Sequence, residues 1–273
     1  MRVSVDQVVV CVAWGSSVRC VLKPFLIAAS FFSLTWNAAH ARDPAAFNWT
    51  GMYVGVNLGG AWGESEFTHT ATGQFVADPP SQPNLAAFGS GALQSRGVIG
   101  GVQAGYNWQV GSIVVGFESD MQAWASSASS QRGPQVYFPG PPPPPATAAF
   151  SQTVNSDYLF TLRSRVGLAL DGALVYVTGG LAVTKVKFSQ AVLFGPFPEM
   201  ASGSVSETKL GWTLGGGAEF VLTRNWTVKA EYLYVQFDDV TARLFNPTSP
   251  MYTHEVQSEL SAQIVRVGVN YKF

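Results

Sequence analysis

The chain has 273 residues, 12% of them charged, 47% hydrophobic and 13% aromatic, with 28 glycines. No run approaches the ~20 apolar residues that a spanning helix needs, so hydropathy alone would miss a membrane protein here. Hydropathy is silent on strands, which cross a bilayer with every second residue apolar, and that class stays open.

Residues 1–41 differ in character from the rest. Arg19 and Lys23 precede the apolar run Phe25 to Trp36, and Ala39-His40-Ala41 is a small-x-small cleavage pattern. Together these read as a secretory signal peptide cut after Ala41. The leader is ~10 residues longer than usual; either its charged region is extended or translation starts later, for example at Val18. Both cysteines, Cys11 and Cys20, lie in it, so the mature chain has no thiol or disulfide chemistry. Without the leader's Arg2, Arg19, Lys23 and Asp6, 13 basic and 16 acidic residues remain, a charge of −3. That excludes a strong electrostatic nucleic-acid binder.

Residues 42–273 read as one domain. Arg42 to Trp49 lead into a first strand with Met52, Val54, Val56, Leu58 and Trp62 on one face, and Tyr53, Gly55, Asn57, Gly59 and Ala61 on the other. A period of two with unlike faces is a strand. The second alternates Val98, Val102, Ala104, Tyr106 and Trp108 with Gly101, Gln103, Gly105 and Asn107. The third sets Ile113, Val115, Phe117 and Met121 against Gly116, Glu118 and Asp120. The fourth carries Tyr158, Phe160, Leu162, Val166 and Leu168 opposite Thr161, Arg163, Arg165 and Gly167. After the turn pair Asp171-Gly172, the fifth opposes Val175, Val177, Leu181 and Val183 to Tyr176, Thr178, Gly180 and Thr184.

Leu210 to Phe237 supplies the sixth and seventh strands and is the clearest hairpin. Leu210, Trp212, Leu214, Phe220 and Leu222 oppose Gly211, Thr213, Gly215, Gly217 and Glu219; beyond Thr223-Arg224-Asn225, Trp226, Val228, Ala230, Tyr232 and Tyr234 oppose Thr227, Lys229 and Glu231. The eighth strand places Val265, Val267, Val269, Tyr271 and Phe273 against Arg266, Gly268, Asn270 and Lys272. In a soluble sandwich the glycine rows would be wasted. In a membrane barrel the apolar face meets lipid and the small polar face lines a narrow lumen.

Short turns near Val110, Asp171 and Arg224 alternate with long segments at 63–95, 125–156, 189–206 and 239–259, which predict four long loops at the opposite rim. Pro141 to Pro145 reads as a stiff tip on the second of them. The fold class is therefore all-β: an eight-stranded antiparallel up-and-down transmembrane β-barrel with both termini on the periplasmic side. The terminal aromatic, Phe273, suits an assembly signal for the outer-membrane assembly machinery.

The stretches FNWTGMYVGVNLGGAWG, GGVQAGYNW, YLFTLRSRVGLALDGALVYVTGGLA and GWTLGGGAEFVLTRNWTVKAEYLYVQF, with the terminal VRVGVNYKF, carry a resemblance. They resemble the small outer-membrane immunogenic proteins, alphaproteobacterial, opacity-like eight-stranded barrels often labelled porin family. The resemblance runs from about Phe47 to Phe273 and leaves out the long loops. It implies an outer-membrane location among lipid and lipopolysaccharide, structural or antigenic roles, and haem binding in some members. It carries no catalytic motif.

The inward faces hold Glu118, Asp120, Arg163, Arg165, Glu219, Lys229, Glu231 and Arg266, four acids and four bases. An isolated charge in so narrow a space costs several kcal/mol, and an eight-stranded barrel is just wide enough for side chains to fill. A neutral plug of ion pairs is the expectation, with a small polar conduit as the alternative. His69 and His254 fall in the predicted first and fourth loops, which barrel closure makes neighbours; they are the candidate ligands for haem or a metal ion. Rim carboxylates Glu64, Glu66, Asp238, Asp239, Glu255 and Glu259 are candidates for divalent cations bridging lipopolysaccharide. With no His beside a strand Ser there is no nucleophile–base pair, so no enzyme is expected, and no resident cofactor. The expected function is a non-enzymatic envelope barrel that stabilises the outer membrane and presents loops outside. The alternatives are a passive porin-like channel or a haem-binding surface protein.

Overall fold

A computed structural model describes residues 11–13, 18–20, 47–73, 81–138, 146–195, 199–244, 246 and 251–273. The chain divides into two units, Met1–Pro44 and Ala45–Phe273. In the first, strands Cys11–Ala13 and Val18–Cys20 pair antiparallel with Cys11 opposite Cys20. The leader's apolar run and cleavage motif, and the Pro141 to Pro145 tip, lie outside the described residues.

The second unit is a closed barrel of eight antiparallel strands. They are β1 (Gly51–Gly73), β2 (Gly91–Val110), β3 (Ile113–Phe138), β4 (Ala146–Leu170), β5 (Ala173–Gly195), β6 (Glu199–Val221), β7 (Trp226–Leu244) and β8 (Tyr252–Lys272). Each pairs with its neighbour in the chain, and β8 closes on β1 from Tyr252↔Gly73 to Lys272↔Tyr53. At the lower rim the connections are tight. Asp171 and Gly172 both take positive φ, +34° and +90°, as a two-residue turn matched to strand twist requires.

The upper rim departs from the sequence reading. The strands run for 19 to 26 residues, about twice the 9–11 that a tilted strand needs to cross a bilayer. Most of the segments expected as loops at 63–95, 125–156, 189–206 and 239–259 is therefore strand. What remains between strands is 74–90, 139–145, 196–198 and 245–251, and the first of these contains helix α1, Ser81–Gly89.

The reason is a reversal of phase along each strand. On β1, outward Met52, Val54, Val56, Leu58 and Trp62 are exposed while Tyr53, Asn57 and Ala61 are buried. Above Trp62 the outward residues are Glu64, Glu66, Thr68 and Thr70, and the buried ones are Phe67, His69 and Ala71. β8 reverses in the same way: Val265, Val267 and Val269 face out below, then Gln263, Ser261 and Glu259 above, while buried Arg266 gives way to Ile264, Ala262 and Leu260. The lower half is polar inside and apolar outside, as a lipid-embedded barrel must be. The upper half is built like a water-soluble protein.

Aromatic rings border the apolar band at both levels. Trp108 packs against Tyr106 and Phe117, and Trp226 against Tyr271, near the lower rim; Trp212 packs against Tyr234 at the upper boundary. Amphipathic rings sit where lipid meets water.

In the upper half the ladder is also incomplete among the described residues. The β2–β3 pairing stops at Ile99↔Trp124 and the β6–β7 pairing at Gly211↔Phe237. Two four-stranded sheets, β7-β8-β1-β2 and β3-β4-β5-β6, thus enclose an apolar core that includes Phe67, Phe150, Phe188, Phe194 and Val256. Helix α1 packs into this core through Leu85 and Phe88.

Candidate functional site

The lower lumen is filled by the charges picked out from the sequence. Glu118, Asp120, Arg163, Arg165, Glu219, Lys229, Glu231 and Arg266 are all buried, each no more than 3% exposed. They arrive there by period: each lies on the inward phase of its strand, and the registers Glu118↔Arg163, Glu219↔Lys229 and Arg266↔Glu231 place opposite charges on adjacent strands side by side. Glu118 is the hub. It takes Arg163 at 2.6 Å and Lys229 at 2.7 Å, with Arg266 at 3.6 Å and Arg165 at 3.7 Å. Glu231 accepts Arg163 Nη1 at 3.0 Å and Arg266 Nε at 2.8 Å, and Asp120 accepts Arg163 Nη2 at 2.7 Å. Arg165 reaches Glu219 at 3.2 Å.

Sequence reasoning placed several uncharged partners on this face without giving them a role. Tyr53 donates its hydroxyl to Glu118 at 2.8 Å and Tyr176 donates to Glu231 at 3.0 Å. Their rings sandwich the Arg165 guanidinium, 4.6 and 5.3 Å from the centroids. Gly105 makes room for the first ring, since a Cβ there would strike the Tyr53 hydroxyl. Asn270 donates to Glu219 at 2.7 Å, Asn57 donates to Gln103 at 2.9 Å, and Asn107 accepts from Arg165 Nε at 2.7 Å. The signal was available: tyrosines and amides standing on the glycine-rich phase of the alternation. Below them Trp49, Val114 and Leu174 close the turn end with Phe47, and Trp49 N–H donates to Gln109.

His69 and His254 do meet, but as strand residues rather than loop residues. They face inward from β1 and β8, with His69 Nε2 2.9 Å from His254 Nδ1. Gln190 Nε2 donates to His69 Nδ1 at 3.3 Å, so the shared proton sits on His69 Nε2 and His254 accepts it. The rings are 0% and 1% exposed. Phe150 meets His69 edge-on, Phe194 stacks on His254, and α1 ends against the pair with Gly89, where a Cβ would run into the His69 ring. The expected loop positions are thus corrected to inward strand positions, where the facing nitrogens of the two rings bond each other.

Both histidines lie well above the apolar band, beyond Trp62 and Gln263. Burial, with the facing His254 ring second, lowers His69 to about 3, and burial lowers His254 to about 4. Both are neutral at pH 7.

The helix that covers them was not foreseen. Its cue was Ser81 followed by Pro83 in a first turn, with Leu85 and Phe88 three apart. Arg132 of β3 donates Nη1 to Phe88 O at 2.8 Å and to Ser90 O at 2.6 Å, and Gln152 donates to Gly89 O at 3.1 Å. A cation over the last carbonyls of a helix satisfies groups that have no partner within it.

The carboxylates expected on loops stand on the outer strand faces. Glu66 is directly opposite Glu259, Glu255 pairs with Arg243 at 3.8 Å, and Asp238 and Asp239 occupy an irregularity of the β7–β8 ladder. Among the described residues no three metal-ligating side chains converge. Phe273 is exposed; its amide bonds Met52 O at 3.0 Å and its ring meets Tyr271.

Comparison with known proteins agrees with this architecture. The chain is 34% identical over 239 residues to the 31 kDa outer-membrane immunogenic protein of Brucella melitensis, covering 87% of this chain and 89% of that protein. It is 26% identical over 228 residues to the 25 kDa outer-membrane immunogenic protein of Brucella canis, covering 83% and 80%. Among solved structures, the outer membrane protein OprG of Pseudomonas aeruginosa is matched at 11% identity with a TM-score of 0.47, covering 83% of this chain and 97% of that one. The family model of the outer membrane protein beta-barrel domain matches residues 25–273. The chain belongs to that outer-membrane β-barrel family.

Proposed function

We propose that the protein is a sealed, non-enzymatic envelope barrel: a rigid anchor in the outer membrane that carries a folded, polar-surfaced head outside it. The observation that carries this reading is the filled lumen, blocked once by the Glu118-centred ion-pair layer and again by the apolar core under α1. Four acids and four bases neutralise each other in place, which favours rigidity over the net field that selects permeant ions. The ring nitrogens of His69 are engaged by His254 and Gln190, which argues against a general base for nucleophilic catalysis. Residues 1–41 act as the secretory leader, the lower rim with Phe273 faces the periplasm and the assembly machinery, and the head faces out among the lipopolysaccharide. The immunogenic relatives support surface presentation, here by strand faces such as Thr68, Thr70 and Glu66 more than by loops.

Planar-bilayer recording tests the reading. The folded protein is expected to give no single-channel steps; reproducible conductance would replace the sealed anchor with the porin-like alternative.

A further inference from the structure

We propose that the His69–His254 pair is an acid-operated latch: protonation of the facing rings separates them and releases α1 and the extramembrane core, while the membrane-embedded barrel stays folded.

Three observations carry this. The pair shares one proton across 2.9 Å, a bond that survives one added proton but not two, because two imidazolium rings both donate and repel. The described walls around it are apolar rings and amides. β4 presents Phe150 and Gln152, β5 presents Gln190 and Phe194, and α1 presents Gly89. Among the described residues, Arg132 of β3 already spans the last carbonyls of α1, and Glu199 of β6 accepts from Asn246 at 3.3 Å. Finally, the pair touches a segment that is no part of the strand ladder. α1 is held through Leu85, Phe88 and the Arg132 and Gln152 bonds, and its Gly89 lies on the His69 ring. The β2–β3 ladder ends at Ile99↔Trp124, so the sheet above it is not closed there.

The sign follows from linkage. Both rings are neutral when packed and titrate near 6.5 once exposed, so the open form binds more protons between about pH 6.5 and the packed values of about 3 and 4. Packing of the head therefore weakens as pH falls through that window. The lower half carries no histidine among the described residues and does not share this response.

Hydrogen–deuterium exchange tests the latch on protein purified from outer membranes in detergent, at pH 7 and pH 4.5, with rates corrected for intrinsic amide chemistry. Peptides covering 81–89 and 64–71 are expected to lose protection at least ~tenfold at pH 4.5, while peptides covering 113–121 and 226–233 keep theirs. The double change His69→Gln, His254→Asn preserves a donor and an acceptor without a titrating group and is expected to abolish the loss. Unchanged protection in the native protein overturns the proposal, as does equal loss in the double variant or parallel loss in the lower peptides. Should the double variant not fold, His254→Asn alone is read the same way: α1 must keep more protection at pH 4.5 than in the native protein, and equal loss overturns the latch.

Discussion

The two halves of this barrel solve opposite solvent problems with the same eight strands. Below Trp62 and Gln263 the surroundings are lipid, so Val54, Val56, Val265 and Val267 face out and the ions go inside. Above, the surroundings are water, so Glu64, Thr68 and Gln263 face out while Phe67, Phe150 and Ile264 go inside. The β8–β1 ladder runs unbroken through the change, whereas the β2–β3 and β6–β7 ladders end near it, at Ile99↔Trp124 and Gly211↔Phe237. On β1 and β8 what reverses is which phase of the alternation is apolar. The lower half is held by ion pairs that cannot be solvated, the upper by burial of apolar surface. Each half should therefore fail to a different kind of substitution.

The largest difference is expected at the hub of the ion pairs. Glu118→Ala leaves Arg163 and Lys229 without their 2.6 and 2.7 Å partner and gives the buried layer a net positive charge. Removing one member of a buried ion pair costs about 3–5 kcal/mol. Denaturant unfolding of the folded protein in bilayers should show a loss of that order. A loss below ~1 kcal/mol would mean that water reaches the layer and that the lower half is not sealed.

A smaller and more direct contrast uses one substitution twice on β1. Val56→Lys puts a charge into the lipid-facing band and should cost about 2–4 kcal/mol. Thr68→Lys, twelve residues up the same face, should fall within ~0.5 kcal/mol, as surface changes do. Equal costs would place Thr68 in the membrane and erase the boundary at Trp62.

This boundary explains what the sequence disclosed and what it hid. Outward apolar residues at every second position mark β1 from Met52 to Trp62 and β8 from Val265 onward. That cue ends where the phase flips, so Phe67, His69, Ala71 and Val256 look like loop in the sequence. The same flip concealed the candidate site: His69 and His254 were correctly brought together by barrel closure, yet assigned to a wet rim instead of a dry core. The ion-pair layer was legible because glycines and charges share a phase in a narrow lumen. Its tyrosines were visible on that phase, but their hydrogen bonds depend on register across β1, β3, β5 and β7, which no single strand reveals. Helix α1 was hidden because its apolar residues are few and the core that Leu85 and Phe88 pack into lies inside the upper barrel.

The smallest effect sharpens the comparison at the junction of helix and strand. Arg132→Ala removes two hydrogen bonds from the guanidinium to Phe88 O and Ser90 O and its contact over the Phe67 ring, but no residue of the apolar core itself. Water can reach part of this position, because Arg132 is only half-buried, so the loss should be about 1 kcal/mol. It should appear as faster amide exchange over 81–89, with no change over 113–121. A matching change in the lower peptides would couple the halves into one cooperative unit. Exchange confined to α1 would instead establish the helix as the least stable element of the head, the place where any opening of the upper core begins.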